Sequence, residues 1–418
     1  MSSKQNISKE KKTMDEKAKE SYKKKLSSTG VSDIINVNRW WEKDESDNED
    51  SDKKWKTLEH NGVIFPAKYE PHNVKILYKN TPITLNPEQE EIATFWAGIM
   101  ENDLSLKETT QKNFLKEFKQ VMGKEYENSK FSDFDFSPIL THIQKVREKN
   151  RNKTPEEKKA EKEKKQKIYD YYGFALVDGI SEKISNYLVE PPGIFRGRGE
   201  HPLAGRLKKR IYPENCTLNL GEDNPVPKCS LDGHAWNDIV FNDEATWLAY
   251  YKENTEKGNT KYVFLASNSK FKGLNDKKKY EKARKLKDKI NSIREDYNKQ
   301  LTSDNEEKRQ LGVATYLIDK LALRVGNEKN EDEADTVGCC SLRVEHIIFE
   351  ENCKITLDFL GKDSMRYHNT VIVDQKIYDN LKRFVKGKKP ENDLFDLINV
   401  KYFMILFIFN YCLGFKDE

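Results

Sequence analysis

The sequence has few cysteines, little excess charge of either sign and no apolar segment at its start. Its six cysteines include no CxxC pair, so their spacing does not predict a metal site. Scattered cysteines of this kind are typical of reduced thiols in an intracellular protein. Met1–Lys25 lacks the apolar stretch of a signal peptide, so we predict no secretory leader.

The charge balance excludes a uniformly basic protein. Lys and Arg number 74 against 70 Asp and Glu, a formal net charge of only +4, so any basic surface must be local. Charged residues make up 34% of the chain and apolar residues 36%, which predicts highly solvated segments beside a packed core. The 418 residues correspond to about three domains on length alone.

One stretch, Asp319–Asn369, carries two cations on elements that the sequence can place. Arg324 closes an amphipathic run with apolar residues at helical spacing, and Gly326-Asn327 predicts the helix stop. Lys362 lies in the turn Leu360–Asp363, between the strand-like runs Lys354–Phe359 and Ser364–Asn369. An arginine at a helix end and a lysine at a hairpin tip are suited to binding a phosphodiester.

Another stretch, Pro191–Arg210, places six cations in a frame rich in glycine and proline. Glycines let the backbone approach a ligand closely, and arginines at this density can contact successive phosphates. A solvated basic loop explains the same composition equally well. Composition alone leaves both interpretations open.

With these motifs in view, the chain resembles eukaryotic DNA topoisomerase I, the type IB family. The resemblance covers roughly Trp40 to Asn399 and rests on five segments that occur in the family's order, KWKTLEHNGVIF, PPGIFRGRG, DKLALRVGNEK, ADTVGCCSLRVEH and FLGKDS. Members of this family relax supercoiled DNA through a 3′-phosphotyrosyl intermediate. The resemblance implies no cofactor, nucleotide or metal, no membrane, and duplex DNA as the partner.

The resemblance also implies roles for individual residues. Arg324 would stabilise the charge on the phosphate in the transition state, and Lys362 would protonate the 5′-oxygen leaving group. Its neighbour Asp363 and the minor groove would set the position and pKa of Lys362. The residues implied in DNA binding are Arg196, Arg198, Lys208, Lys261, Lys279 and Asp363. Cys339 and Cys340, beside this site, are expected to be small buried packing residues.

The predicted fold class is α+β, a two-lobed DNA clamp with a mixed upper lobe (cap). The lower lobe is expected to be mainly helical with a three-stranded antiparallel sheet. We predict a disordered charged segment over 1–50 and a DNA-binding cap lobe over 51–269, with a helical insertion at about 71–153. A partial catalytic core over 270–399 and an aberrant apolar tail over 400–418 complete the prediction.

The chain departs from the family after Asn399, where it reads VKYFMILFIFNYCLGFKDE. The family's second catalytic arginine, its histidine and its Ser-Lys-x-x-Tyr tyrosine are expected to be missing, so the chain alone should bind DNA without cleaving it. A C-terminal catalytic segment is then expected to be absent from this chain. The apolar run Tyr402–Phe415 is short for a membrane span.

Two alternatives to this interpretation stay open. One is a non-catalytic DNA clamp that needs a partner chain to supply the tyrosine, and the other is a tyrosine recombinase, which the large upper lobe and the FRGRG segment disfavour. Lys23–Lys25 is consistent with a nuclear localisation signal or with a solvated charge run. The family's basic leaders favour the nucleus.

Overall fold

The computed structural model describes residues 53–253, 259–327 and 333–399. This part of the chain contains seven α-helices and fifteen β-strands, which confirms the prediction of a mixed α+β fold. It divides into two compact units. The first comprises residues 53–194 and 206–276, and the second comprises residues 195–205 and 277–399. The two-lobed clamp and the domain boundaries given above stay predictions.

The first unit combines helices with small sheets. Its elements in chain order are β1 (Leu58–His60), β2 (Ile76–Tyr78), β3 (Thr81–Ile83), α1 (Pro87–Ala97), α2 (Glu108–Met122), β4 (Phe134–Asp135), α3 (Ser137–Arg151), α4 (Pro155–Tyr172), β5 (Phe174–Val177), β6 (Ile180–Lys183), β7 (Gly193–Ile194), β8 (Leu207–Lys208), β9 (Cys216–Asn219), β10 (Asp238–Val240), β11 (Trp247–Lys252) and β12 (Thr260–Phe264). The strand orders are β1-β5-β6, β3-β2-β4, β7-β8 and β10-β9-β11-β12.

Helix α1 shows how local sequence starts an element. The Asn86 side chain accepts from the Gln89 backbone N–H, the Gln89 side chain accepts from the Asn86 N–H, and proline occupies the first turn. This reciprocal arrangement satisfies two N–H groups that a helix start leaves unbonded. Trp96, near the end of α1, stacks on Phe114 of α2 with ring centroids 4.5 Å apart. An aromatic core therefore holds these two helices together.

Helix α4 has the same type of start and a different environment. Thr154 and Glu157 form the reciprocal cap, but α4 buries none of its side chains. Its sequence is mostly charged up to Ile168, which is typical of a solvent-exposed helix. Capping and polar side chains rather than packing therefore stabilise most of α4.

A buried histidine joins two sheets of the first unit. The His60 ring on β1 is 4% exposed; its Nε2 lies 2.9 Å from the Asn219 carbonyl oxygen on β9, and its Nδ1 accepts from the Gly62 N–H. These contacts define the tautomer with the proton on Nε2. Burial lowers the pKa of His60 to about 4 because the charged ring would lose its hydration.

The second unit holds the stretch with the two cations. Its elements are α5 (Lys270–Gln300), which begins in the first unit, α6 (Glu306–Leu321), β13 (Ile347–Phe349), β14 (Lys354–Leu360), β15 (Arg366–Ile372) and α7 (Gln375–Val385). The strands form an antiparallel sheet in the order β13-β14-β15, which confirms the predicted three-stranded sheet. Its inner face packs Ile355 and Leu357 into a core shared with α5, α6 and α7.

One prediction about this unit is wrong. Helix α6 ends at Leu321, so Arg324 does not close it and Gly326-Asn327 is not its stop. Ala322 turns the chain with a left-handed φ of 53°, and this brings Leu323 into the core at 7% exposure. The burial of Leu323 explains why the helix ends early at a residue that rarely adopts this conformation.

Several predictions fall outside the described residues. These include the Lys23–Lys25 segment, the disordered segment 1–50 and the apolar tail Tyr402–Phe415. In the ranges that are described, no helix has the length and apolar character needed to cross a membrane. Within those same ranges, no group of three or more His, Cys, Asp or Glu side chains is arranged to hold a metal ion.

Candidate functional site

Arg324 lies in the connection that follows α6, and its side chain is exposed. Its backbone carbonyl accepts a hydrogen bond of 2.7 Å from the Cys339 N–H. Across the described ranges, no carboxylate or other side chain pairs with its guanidinium. The planar donor fork of Arg324 is therefore available to an oxyanion.

Lys362 lies at the tip of the β14–β15 hairpin, as the sequence predicted. The turn Lys362–Ser364 places Asp363 and Ser364 in the left-handed region, with φ of 67° and 58°. The bond from the Gly361 N–H to the Met365 carbonyl, 2.8 Å long, closes the turn. The Lys362 side chain is exposed, and it too has no side-chain partner in the residues that the structure describes.

A short backbone segment connects these two cations. We name Val337–Cys340 the bridging segment. Cys339 N–H donates to the Arg324 carbonyl at 2.7 Å, and Val337 N–H donates to the Leu360 carbonyl at 2.8 Å. Leu360 precedes Lys362 by two residues. The structure thus ties both predicted catalytic residues to one element, and Cys339 and Cys340 are buried as predicted, at 0% and 4% exposure.

Other arginines near the hairpin are neutralised. Arg343 donates to both oxygens of Asp335 at 2.9 and 2.8 Å and to Glu345 at 2.6 Å; these carboxylates, Asp335 above all, raise its pKa. Arg366 forms a two-bond pair with Asp358 and lowers the pKa of that carboxyl to about 2. Because their donors are occupied, these arginines are less suited to binding phosphate than Arg324.

Asp363 pairs with an arginine from a distant part of the chain. Its carboxylate accepts from the Arg198 guanidinium, and the expectation that Asp363 and the minor groove set the position and pKa of Lys362 stays a prediction. Both residues belong to the second unit, since segment 195–205 clusters there. Gly199 lies against Ser364, where an added Cβ would come within 2.5 Å of the Ser364 hydroxyl oxygen. The structure therefore brings the FRGRG motif and the lysine turn together.

The remaining residues predicted to bind DNA have varied surroundings. Arg196 is exposed, with no partner in the described part of the chain. In the first unit, Lys208 on β8 pairs with Glu190, and Lys261 on β12 lies 3.4 Å from Glu253. Lys279 is exposed on α5. Their roles in DNA binding stay predictions, and for Lys208 and Lys261 any phosphate competes with a carboxylate.

Sequence reasoning missed the bridging segment and the Arg198–Asp363 pair. The pair joins positions 165 residues apart, a separation across which spacing carries no information. The sequence contained one indication of the bridging segment, since Gly326 and Gly338 each lie beside a motif residue. Glycine next to a functional side chain indicates a close backbone approach.

Comparison with known proteins defines the class and then the family. Residues 53–265 match the family described as eukaryotic DNA topoisomerase I, DNA binding fragment. Residues 268–403 match its catalytic core. The chain is thus similar first to a DNA-binding fragment and then to a catalytic core, which defines its class as DNA topoisomerase. The chain belongs to the eukaryotic DNA topoisomerase I family.

Curated relatives agree with this assignment. The chain is 48% identical over 347 residues to DNA topoisomerase 1 beta of Arabidopsis thaliana, covering 83% of this chain and 38% of the relative. It is 45% identical over 368 residues to DNA topoisomerase 1 of Candida albicans, covering 86% and 47%. With DNA topoisomerase 1 of Homo sapiens it is 43% identical over 356 residues, covering 83% and 46%. The chain spans less than half the length of these relatives.

Proposed function

We propose that this chain provides the DNA-binding fragment and part of the catalytic core of a type IB DNA topoisomerase, which relaxes supercoiled DNA. The observation that carries the proposal is the pair Arg324 and Lys362. Both are exposed, neither has a side-chain partner in the described ranges, and both are tied to the bridging segment. Family membership supports DNA as the source of the phosphodiester on which they would act.

In the proposed reaction a tyrosine hydroxyl loses its proton to water, its oxygen attacks the phosphorus, and the bond to the 5′-oxygen breaks. A 3′-phosphotyrosyl bond and a free 5′-hydroxyl result. Arg324 stabilises the negative charge on the non-bridging oxygens, and Lys362 gives its proton to the departing 5′-oxygen. Attack of the 5′-hydroxyl on the phosphotyrosyl bond reverses both changes, so the strand is resealed without an external energy source.

The roles of the two cations follow from their chemistry. A guanidinium stays protonated throughout the reaction and offers fixed donors, so Arg324 suits charge stabilisation. A lysine amine can lose and regain a proton, so Lys362 suits the acid. We assign the nucleophile to no tyrosine among the described residues.

The test is a relaxation assay on supercoiled plasmid. We would compare the chain alone with the same chain extended by the C-terminal residues of a relative. The extended protein is expected to relax plasmid in EDTA and without ATP; a strict requirement for either would contradict the mechanism. The chain alone is expected to bind duplex DNA and to form no covalent adduct after denaturation. An adduct would show that one of its own tyrosines acts as nucleophile.

We also propose that the protein acts in the nucleus. The support is the Lys23–Lys25 run together with the basic leaders of the family. Fluorescence microscopy of the tagged full chain tests this, with Lys23–Lys25 changed to alanine as the comparison. Cytoplasmic fluorescence of the unchanged chain would refute the proposal.

A further inference from the structure

Gly326 and Gly338 cross at a distance that only glycine allows. A Cβ added to Gly338 would lie 2.4 Å from the Gly326 Cα, 2.5 Å from the Gly326 N and 2.8 Å from the Arg324 carbonyl oxygen. All three neighbours are backbone atoms, which cannot move aside as a flexible side chain can. Gly326 in turn has a φ of 96°, a conformation that side chains rarely adopt.

The close approach of Gly326 and Gly338 lies between two sets of backbone hydrogen bonds, one at Arg324 and one near Lys362. On one side, Cys339 and Cys340 donate to the carbonyls of Arg324 and Val325 at 2.7 and 2.8 Å. On the other side, Val337 donates to Leu360 at 2.8 Å. A displacement of Gly338 would therefore shift the backbone on both sides of the bridging segment.

Arg324 is unusually dependent on this backbone. Its side chain has no partner in the described part of the chain, whereas Arg343 and Arg366 are fixed by carboxylates. For a side chain held only through its backbone, a shift in the backbone becomes a shift in its charged group. A misplacement of about 1 Å at a reacting centre costs on the order of 10²-fold in rate.

We infer that Gly338 is a positioning residue for the reaction, acting through Arg324 and, by way of Val337 and Leu360, through Lys362. It touches no substrate. Its role is to let two backbone segments approach closely, so that Arg324 and Lys362 keep fixed positions relative to each other. This inference rests on the proposed function, because it concerns the rate of that reaction.

The test uses the C-terminally extended protein and the variant Gly338→Ala. We expect the relaxation rate to fall 10- to 100-fold while the dissociation constant for duplex DNA changes less than 3-fold. The matched control is Gly312→Ala. An added Cβ at Gly312 would also meet a backbone atom, the Tyr297 carbonyl oxygen at 3.0 Å, but in the helical core rather than at Arg324. It is expected to lower thermal stability and keep the rate within 3-fold.

A double-mutant comparison separates positioning from general damage. If Gly338→Ala acts by displacing Arg324, it should slow an Arg324→Lys protein much less than it slows the unchanged protein. The inference would be overturned if Gly338→Ala slowed the Arg324→Lys protein by the same factor as it slows the unchanged protein. Equal loss of rate in Gly338→Ala and Gly312→Ala would overturn it as well, since destabilisation would then be sufficient.

A milder variant covers the case in which Gly338→Ala does not fold. Ser341→Ala removes the hydroxyl that accepts from the Gly338 N–H at 3.0 Å and adds no atoms. It should reduce the rate 3- to 10-fold and be non-additive with Arg324→Lys; a full rate would contradict the inference. The proposed function fails separately, if Arg324→Ala itself relaxes plasmid at the normal rate.

Discussion

Three cations at one end of the first unit's basic segment and the two candidate catalytic cations of the second unit differ in what they contact. In the first unit, Arg206 pairs with Glu117, Arg210 with Glu91 and Lys208 with Glu190, so these charges are largely compensated inside the fold. In the second unit, Arg324 and Lys362 are exposed and lack side-chain partners among the described residues. A compensated cation stabilises structure, whereas an uncompensated one keeps its full field for a ligand. Whether a cation is paired with a carboxylate therefore separates structural cations from candidate catalytic ones more clearly than its residue type does.

The largest effect is expected at the uncompensated cations. Arg324→Ala or Lys362→Ala in the extended protein should each slow plasmid relaxation by about 10²–10³-fold, because each removes a charge that acts on the transition state. Duplex affinity should stay within a few-fold, since the residues predicted to bind DNA, such as Arg196 and Arg198, are left unchanged. Gel-based relaxation and fluorescence anisotropy measure the two quantities. Near-normal turnover in either variant would remove the assigned role.

The next effect is the pH dependence that the buried His60 gives to the stability of the first unit. The fold holds the pKa of His60 at about 4, below the unfolded value of about 6.5. The native state therefore favours the neutral ring. Its contribution is complete above about pH 6.5 and is lost as the pH falls from there towards 4, about 3 kcal/mol in all.

Tryptophan fluorescence during urea unfolding can follow this loss. Trp55, Trp96, Trp236 and Trp247, the tryptophans among the described residues, all belong to the first unit. In His60→Gln the decline in stability between pH 6.5 and 4 should become shallower, although burial also lowers the pKa of His72 and leaves some slope. An unchanged pH dependence would show that His60 is not the group responsible.

The smallest effect tests whether a paired lysine binds DNA more strongly once its carboxylate partner is removed. Glu190→Gln removes the charge beside Lys208, so duplex affinity at low salt should rise a few-fold, with a steeper dependence of log affinity on log salt. Lys208→Ala combined with Glu190→Gln is the control and should abolish the gain. If Glu190→Gln leaves both affinity and salt dependence unchanged, Lys208 does not contact the phosphate backbone.

Local patterns in the sequence predicted the elements that local physics determines. The hairpin around Lys362 was predicted from a turn motif between two strand-like runs, and the hydrogen bond that closes it joins Gly361 and Met365, only four residues apart. The end of α6 was mispredicted because the left-handed turn at Ala322 brings Leu323 into the core, and such packing against distant segments cannot be read from local sequence. The partner of Asp363 could not be predicted, since Arg198 approaches it only after distant segments have folded.

Helix α4 has a consequence for dynamics. Before its last turn, where Tyr169 packs against Phe174 and Tyr187, this 18-residue helix with no buried side chain gains little from the rest of the fold, so the opening of that part is governed by its own marginal propensity. Its amides should exchange with deuterium long before those of the buried strands. It also offers a dense series of lysines to trypsin, so the first cleavage within the described residues is expected there.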